Sequence, residues 1–332
     1  MTKSAIITGI TGQDGSILAD LLLEKGYKVY GLKRRTSSNS LECAAHLEKE
    51  PNVEIVEGDL LDLPSLTSLC RLAKADLCFN MAAQSHVGTS FSQPVYTAQA
   101  TGLGVLYCLE AIRESGIHTR FLQASTSELF GGIRGEVLCN EESEFHPRSP
   151  YGVAKLYGYW ITRNYRESYK MFASNSICYN HEGTRRGPNF VTRKISLAVA
   201  NIKAGNQEKL YLGNLDAKRD WGWASDFCAG MIMILNHNQP DDFVLATGET
   251  HSVREFCDIA FKYAGLGDYR QYVEVDPRFF RPAEVDVLIG DASKATRVLG
   301  WVPKTSFEQL VQKMVEYDIE QVMKGREHDS DE

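Results

Sequence analysis

Tyr151 and Lys155 stand four residues apart in Ser149-Pro150-Tyr151-Gly152-Val153-Ala154-Lys155. On a helix that spacing puts both side chains on one face, one turn apart. An ammonium beside a phenol favours the phenolate, so Lys155 is expected to draw the Tyr151 pKa down. Free tyrosine titrates near ~10, and bringing it to about 7 takes about 4 kcal/mol of differential interaction. A tyrosine tuned in this way can serve as a general base at neutral pH. Earlier in the chain, Gln123-Ala124-Ser125-Thr126-Ser127-Glu128-Leu129-Phe130-Gly131 has the pattern of a strand end. It carries a hydroxyl, Thr126, and a carboxylate, Glu128, that can hold and take protons. A bare Tyr-x-x-x-Lys also occurs in helices where the tyrosine packs and the lysine is solvated, so the surrounding elements must decide.

Those elements alternate. Ser4 to Thr8 is a short apolar run, followed by Gly9-Ile10-Thr11-Gly12-Gln13-Asp14-Gly15, a helical pattern from Ser16 to Lys25, Gly26, and a second strand over Lys28–Leu32. Strand, glycine loop, helix, strand is a βαβ unit whose loop amides and helix N-terminus face a phosphate. The spacing is G-x-x-G-x-x-G rather than G-x-G-x-x-G. A carboxylate at the end of the second strand would bind the ribose 2′-hydroxyl of NAD. The chain has Lys33-Arg34-Arg35 there, which favours the 2′-phosphate of NADP over a basic surface turn or subunit contact. A third strand, Val53–Glu57, leads to Gly58-Asp59-Leu60, where Asp59 either meets the adenine amino group or caps a turn. Leu77–Met81 is a fourth strand, followed by the small residues Ala82-Ala83 and by Gln84-Ser85-His86. A long helical stretch runs from Val95 to Ser115, and a fifth strand over 119–125 enters the Thr126 motif. The expected fold is α/β: a Rossmann-type doubly wound parallel sheet, with ligands beyond the C-terminal strand ends. Gly9, Arg34, Asp59, Ala82 and Thr126 all follow strands and should line one edge.

The remaining composition narrows the function classes. The chain has 332 residues, 43% apolar and 24% charged, with net charge −7. That suffices for a full core in one large domain or two smaller ones. The acidic balance argues against nucleic acid. No apolar run reaches the ~18 residues of a membrane span. The chain enters its first strand at once, with no signal-peptide pattern, so a cytoplasmic location is expected. Eight scattered cysteines without a C-x-x-C spacing suit core thiols in a reducing compartment, with no metal site. After a sixth strand over Ala173–Tyr179 the alternation breaks down and cations recur: Arg185, Arg186, Arg193, Lys194, Lys218, Arg219, Arg278 and Arg281. Gathered at one cleft in an acidic protein, such residues suit a diphosphate. Arg219 and Arg281 stand beside Trp221, Phe279 and Phe280, which favours a ligand role there. The expected division is a dinucleotide domain over 1–180 plus 218–264, and a smaller, discontinuous C-terminal substrate domain over 181–217 plus 265–332.

Together these motifs resemble the extended short-chain dehydrogenase/reductase family, which has the same glycine spacing, a Ser/Thr before the tyrosine and Tyr-x-x-x-Lys. Ile10–Gly15, Ala124–Leu129, Pro147–Tyr151, Asn164–Ser168, Phe190–Lys194, Arg219–Gly222 and Phe280–Val285 resemble the GDP-mannose 4,6-dehydratases within it, over nearly the whole chain. The chain departs from that family's Asn-His-Glu-Ser-Pro at Gly183-Thr184, and has Trp223 where a His or Phe is frequent. The resemblance implies a catalytic set of Thr126, Glu128, Tyr151 and Lys155. It implies NADP contacts at Gly9, Thr11, Gly12, Gln13, Asp14, Gly15, Arg34, Arg35, Asp59, Leu60, Gln84, Ser85, Tyr96, Lys155, His181 and Arg186. Sugar-nucleotide contacts fall on Ser85, Asn180, Val191, Lys194, Gly213, Arg219, Arg281 and Glu284. It further implies a homo-oligomer, a dimer or tetramer, with GDP-mannose or a related GDP-sugar such as a manno-heptose as substrate. A 4-reductase or 4-epimerase on a nucleotide sugar, and a silent NADP-binding sensor, are the competing readings. Glu128 separates the first of these, because epimerases and simple reductases need the tyrosine but not this acid.

Overall fold

A computed structural model of the chain describes residues 3–36, 41–133, 137–280, 285 and 287–330. Seven strands form one wholly parallel sheet: β1 (Ser4–Thr8), β2 (Lys28–Lys33), β3 (Val53–Glu57), β4 (Leu77–Asn80), β5 (Arg120–Ala124), β6 (Ala173–Cys178) and β7 (Phe243–Leu245), in the spatial order β7-β6-β5-β4-β1-β2-β3. Every residue of β1, β4, β6 and β7 is buried, as strands covered on both faces require. The doubly wound fold expected from the alternating pattern is the one observed. The strand order turns back at the β1–β4 contact, the point where such sheets bind ligands.

The helices that matter to the site are α1 (Gln13–Glu24), α2 (Leu63–Ala73), α3 (Gly104–Ser115), α4 (Pro150–Tyr169), α5 (Val191–Lys203), α6 (Ala224–Asn236), α7 (Val253–Tyr263) and α8 (Phe307–Ser330). Helix α1 begins at Gln13, three residues before the sequence pattern suggested, so Asp14 and Gly15 lie in its first turn. The reason is the glycine loop: Gly12 is the N-cap, its amide donating to the Gly9 carbonyl at 3.0 Å. The long helical stretch before Ser115 is present but is split into Pro94–Thr97, a π-helical turn over Ala98–Leu103, and α3. Helix α4 is fixed at its start by sequence: Pro150 occupies the first turn and the Ser149 hydroxyl accepts the Gly152 amide at 3.0 Å. Its inner face buries Tyr151, Lys155, Tyr159 and Thr162.

A second core lies apart from the sheet. It joins α5, α7 and α8 through Ile195, Val199, Phe256, Phe261, Leu310 and Met314. Helix α7 therefore packs with the C-terminal elements rather than with the sheet, although the sequence division placed residues 218–264 with the dinucleotide domain. Its apolar residues fall on one stripe, and that stripe meets α5 and α8. A capping box, Ser252 with Glu255, starts it. Small sheets tie the two parts together: Lys218–Arg219 between His251–Ser252 and Val287–Gly290, and Asn180–Glu182 against Trp221–Trp223. No helix among the described residues is long and apolar enough to cross a membrane.

Candidate active site

Strand order dictates how the site is laid out. Asp59, Arg34, Gly9, Ala82 and Thr126 follow β3, β2, β1, β4 and β5, which are successive neighbours in the sheet. The five residues therefore stand along one edge, spread over four interstrand steps of about 4.8 Å each. An extended dinucleotide lying across that edge would meet all of them in turn.

The glycine loop is built for close approach. Gly9 has φ +68°, and a Cβ there would lie 2.9 Å from Ala82 Cα. A Cβ on Gly15 would lie 2.3 Å from the Gly9 carbonyl oxygen and 2.7 Å from Ile10 Cα. Only glycine lets the first turn of α1 sit against the end of β1, with its amides at the edge. Two polar atoms near this edge, Gln84 Oε1 and Ser125 Oγ, are buried without a hydrogen-bond partner. Such groups call for a ligand. Loop and orphaned atoms together fit a dinucleotide.

At the outer end, Arg34 Nη1 donates to Tyr96 Oη at 2.6 Å, which brings together two residues 62 apart in the chain. Arg35 is exposed beside it. The following residues 37–40 lie outside the described residues. Asp59 Oδ1 accepts the Leu61 amide at 2.9 Å, so it caps a turn. Leu60 is buried in the core beside Gly104. Gln84 is held by its amide on Thr101 Oγ1 at 3.0 Å and by Nε2 on the His86 carbonyl at 3.1 Å; Ser85 next to it is exposed. Thr11 accepts the Cys43 amide through its carbonyl.

The four candidate catalytic residues converge. Thr126, Glu128 and Tyr151 are each 8% exposed and Lys155 4%. Thr126 caps a short turn, Ser127–Phe130, its Oγ1 accepting the Glu128 amide at 3.2 Å. That cap turns the chain so that Glu128 comes back beside the start of α4: a Cβ on Gly152 would lie 3.0 Å from the Glu128 carbonyl oxygen. Lys155 Nζ stands 5.8 Å from the centre of the Tyr151 ring and donates to the Ala124 carbonyl at 2.6 Å. A polar chain that sequence reasoning missed extends from there through the sheet. Gln123 Nε2 also donates to Ala124 O, Asn80 Nδ2 to Gln123 Oε1 at 2.7 Å, and Thr8 Oγ1 to Asn80 Oδ1 at 2.6 Å. The signal was available: Asn80 and Gln123 are amides inside otherwise apolar parallel strands. Their chain links the phosphate-facing strand β1 to the lysine, fully hydrogen-bonded in a dry interior.

Electrostatics here correct one expectation. Burial pushes the Tyr151 phenol well above its ordinary value, with a hydrogen bond from Thr126 opposing and the charge of Glu128 reinforcing the rise. Burial also lowers Lys155 to about 8. The Tyr151 pKa is thus raised, not lowered, even with Lys155 one helical turn away. Desolvation outweighs it, and its ammonium is directed at the Ala124 carbonyl instead of the phenol.

The residues after β6 divide. His181 pairs with Asp14, Nε2 to Oδ2 at 3.0 Å. Arg186 lies on the ring of Phe190, 3.7 Å from its centre, with Nε 3.0 Å from Glu182. Asn180 is paired across to Trp221. Val191 opens α5, and one turn on, Lys194 reaches Phe279, 3.5 Å from the ring centre, while donating to the Tyr211 carbonyl at 2.6 Å. Gly213 completes that cluster, since a Cβ on it would lie 2.7 Å from the Phe279 carbonyl. Arg219 is buried and donates to the Lys218 carbonyl. Arg281 and Glu284 lie outside the described residues. Of the cations expected around one cleft, three are paired within the chain: Arg185 with Asp20, Arg193 with Asp318 and Arg278 with Asp276. Acids of the same chain meet these three arginines at 2.6–2.7 Å. Trp221 stacks on Phe307 in the second core.

Comparison with known proteins agrees with the architecture and with the family that the motifs resemble. The family described as GDP-mannose 4,6 dehydratase matches residues 6–314. GDP-mannose 4,6 dehydratase 1 of Arabidopsis thaliana is 48% identical, with 96% of this chain and 90% of that protein covered. The Homo sapiens GDP-mannose 4,6 dehydratase is 47% identical, with 95% and 91% covered. Among solved structures, a UDP-glucose 4-epimerase from Thermotoga maritima superposes with TM-score 0.85 at 24% identity, covering 96% of this chain and 99% of that one. A dTDP-glucose 4,6-dehydratase from Streptomyces venezuelae with NAD bound gives 0.84 at 24%, covering 96% and 97%. At that identity the two structures speak for the fold.

Proposed function

The chain belongs to the GDP-mannose 4,6-dehydratase family, and on that footing we propose that it converts GDP-D-mannose to GDP-4-keto-6-deoxy-D-mannose and water. The observation that carries this reading is the buried carboxylate of Glu128 beside Thr126 and Tyr151, an acid that a reductase or epimerase does not need. A 6-hydroxyl leaves poorly until the C5 proton is acidic, and a ketone at C4 makes it so. Tyr151 Oη takes the proton of the C4 hydroxyl while Thr126 Oγ1 hydrogen-bonds the same oxygen. Glu128 takes the C5 proton and gives it to the departing C6 hydroxyl, which leaves as water, and the proton that Tyr151 took from the C4 hydroxyl is the one available to return to C5. Lys155 orients the cofactor ribose. A bound oxidised nicotinamide dinucleotide would supply the hydride acceptor for C4, the same hydride for C6, and a positive charge beside Tyr151. The sequence of steps has no net redox change, which places the enzyme among the hydro-lyases.

Several finer assignments belong to the same proposal. NADP is the cofactor, supported by Arg34, Arg35 and the Arg34–Tyr96 hydrogen bond at the ribose end. The nucleotide sugar spans the joint between the sheet and the second core, near Asn180, Val191, Lys194 and Gly213. Cys70, Cys78, Cys108, Cys139, Cys178, Cys228 and Cys257 are buried thiols, which supports the cytoplasm. Exposed Leu103, Val153, Tyr157 and Trp160 on the adjacent helices support a homo-oligomer.

The test is incubation with GDP-mannose and catalytic NADP+, read by mass spectrometry. Loss of one water without NADPH build-up is expected. Glu128→Gln should stop elimination and leave C4 oxidation possible; a Gln variant that forms product at the normal rate would remove Glu128 from the mechanism. A product gaining or losing two hydrogens would select a reductase or dehydrogenase instead.

A further inference from the structure

A carboxylate in the first turn of a phosphate-facing helix is out of place. Asp14 is such a residue: α1 begins at Gln13, and the amides of that turn line the glycine loop. Left alone, its charge would repel the diphosphate that the loop is shaped to hold. The structure cancels it. His181 Nε2 lies 3.0 Å from Asp14 Oδ2, and His181 Nδ1 lies 2.7 Å from the Tyr179 carbonyl. A carbonyl only accepts, and so does an ionised carboxylate. Both ring nitrogens must then donate, which only the imidazolium can do. The ring is clamped from the side by Phe227, stacked at 5.0 Å. Gln13 Nε2 closes the unit, donating to Asp14 Oδ1 at 2.9 Å and to the His181 carbonyl at 3.1 Å.

We propose that Asp14 and His181 form a charged latch, a carboxylate–imidazolium pair that neutralises the phosphate loop and locks it to the strand entering the substrate half. Both are positioning residues. The latch joins residues 167 apart in the chain, on α1 and on Asn180–Glu182, the segment that leads to Val191 and Lys194. The inference rests on the dinucleotide reading for its use, but not for its existence.

Besides each other, the pair faces Arg186 on its own segment, Cys178 on β6, Cys228 on α6, and Lys155 and Tyr151 on α4. Although burial opposes it, the pairing with His181 holds Asp14 down at about 2, and Asp14 holds His181 above its ordinary value. The latch therefore stands from acid pH up to the raised pKa of the imidazole, and is lost as pH rises through it.

The experiment is Asp14→Asn in the full chain, read first by NMR of the ring nitrogens without cofactor or substrate. His181→Phe identifies the signal among the eight histidines. In the wild type both ring nitrogens of His181 are expected to keep their protons just above the pH at which an ordinary histidine loses one, because pairing with Asp14 raises its pKa. In Asp14→Asn one proton should be gone under the same conditions. The variant removes the carboxylate and the imidazolium charge together, so loss of the lock alone should lower NADP+ affinity, by about tenfold on the scale of a typical coupling between sites. Asp14→Glu, which keeps the charge, should retain both protons and recover most of the affinity; a purely structural role would favour the isosteric Asn instead. A neutral His181 ring in the wild type, or a doubly protonated one in Asp14→Asn, overturns the proposal, as does unchanged NADP+ affinity. Should Asp14→Asn fail to fold, His181→Phe keeps the stacking and must lose affinity alone. Failure to dehydrate GDP-mannose would leave the ring-nitrogen result standing, so the two readings fail separately.

Discussion

Gly15→Ala should do more damage than a single methyl suggests. A Cβ at this position would sit 2.3 Å from the Gly9 carbonyl oxygen and 2.7 Å from Ile10 Cα, both backbone atoms that cannot rotate away. Ordinary contact begins about 1 Å farther out, so the first turn of α1 must retreat by that amount. Retreat is resisted, because Leu18, Ala19 and Leu22 on the same helix are fully buried. Overpacking of this kind costs about 1–3 kcal/mol. The functional cost is separate: the amides that would hold the diphosphate move by about 1 Å, a displacement that can cost on the order of 100-fold. Gly26→Ala is the control. Gly26 has φ +75° but nothing within 4 Å of its Cβ position, so it should lose only the left-handed penalty of about 1–2 kcal/mol. Urea midpoints and NADP+ titration of both variants are the assay. Comparable stability loss in the two is acceptable. Cofactor affinity that falls equally in both, or in neither, would refute the close-approach argument.

Two further perturbations follow from the same site. Lys155→Met should abolish dehydration by about 100-fold or more, yet stabilise the cofactor-free protein. The shift from 10.5 to about 8 corresponds to about 3 kcal/mol of burial cost, and losing the Ala124 hydrogen bond returns about 1 kcal/mol. Because the unfolded lysine binds its proton more tightly, wild-type stability should rise between pH 8 and 10.5 and the variant's advantage should shrink there; thermal unfolding that finds Lys155→Met less stable at neutral pH contradicts this. Arg34→Glu should lower kcat/KM with NADP about 100-fold and spare NAD, since it replaces a cation at the ribose end with an acid. Equal losses with both cofactors would assign Arg34 to the fold alone.

Much of the site was legible because its residues are local to strand ends. Five apolar runs, each followed by a small or polar residue, were enough to place Gly9, Arg34, Asp59, Ala82 and Thr126 on one edge, and the sheet bears that out. What the sequence hid is what depends on partners far along the chain. Asp14 and His181 are 167 residues apart, and neither spacing nor composition announces their pairing. The arginines after Tyr179 looked like a diphosphate site, but Asp20, Asp318 and Asp276 claim three of them. Trp221 looked like a neighbour of Arg219 because it stands two residues away in the sequence. The strand is broken between them. Arg219 pairs with His251 and Leu288, Trp221 with Asn180, and Asp220 is clamped by Thr247, Gly248 and Gly290 at 2.7–3.2 Å.

The Tyr151–Lys155 pair shows how spacing can identify a machine without revealing its resting state. Helical spacing correctly put both groups on one buried face, but burial acts on each with the opposite sign from their mutual attraction. A phenolate and an ammonium are both charged, and a dry site disfavours both; the phenol rises and the lysine falls. The polar chain from Thr8 through Asn80 and Gln123 then holds Lys155 on the Ala124 carbonyl, ready but not engaged. A base in this condition is protonated at neutral pH, so proton abstraction needs more positive charge at the edge than the chain itself provides. That requirement is useful to a dehydratase. In the proposed reaction, a tyrosine that titrates only when the edge is filled would not take the C4 hydroxyl proton before a hydride acceptor is in place, and Glu128 would meet no acidic C5 proton until C4 has been oxidised.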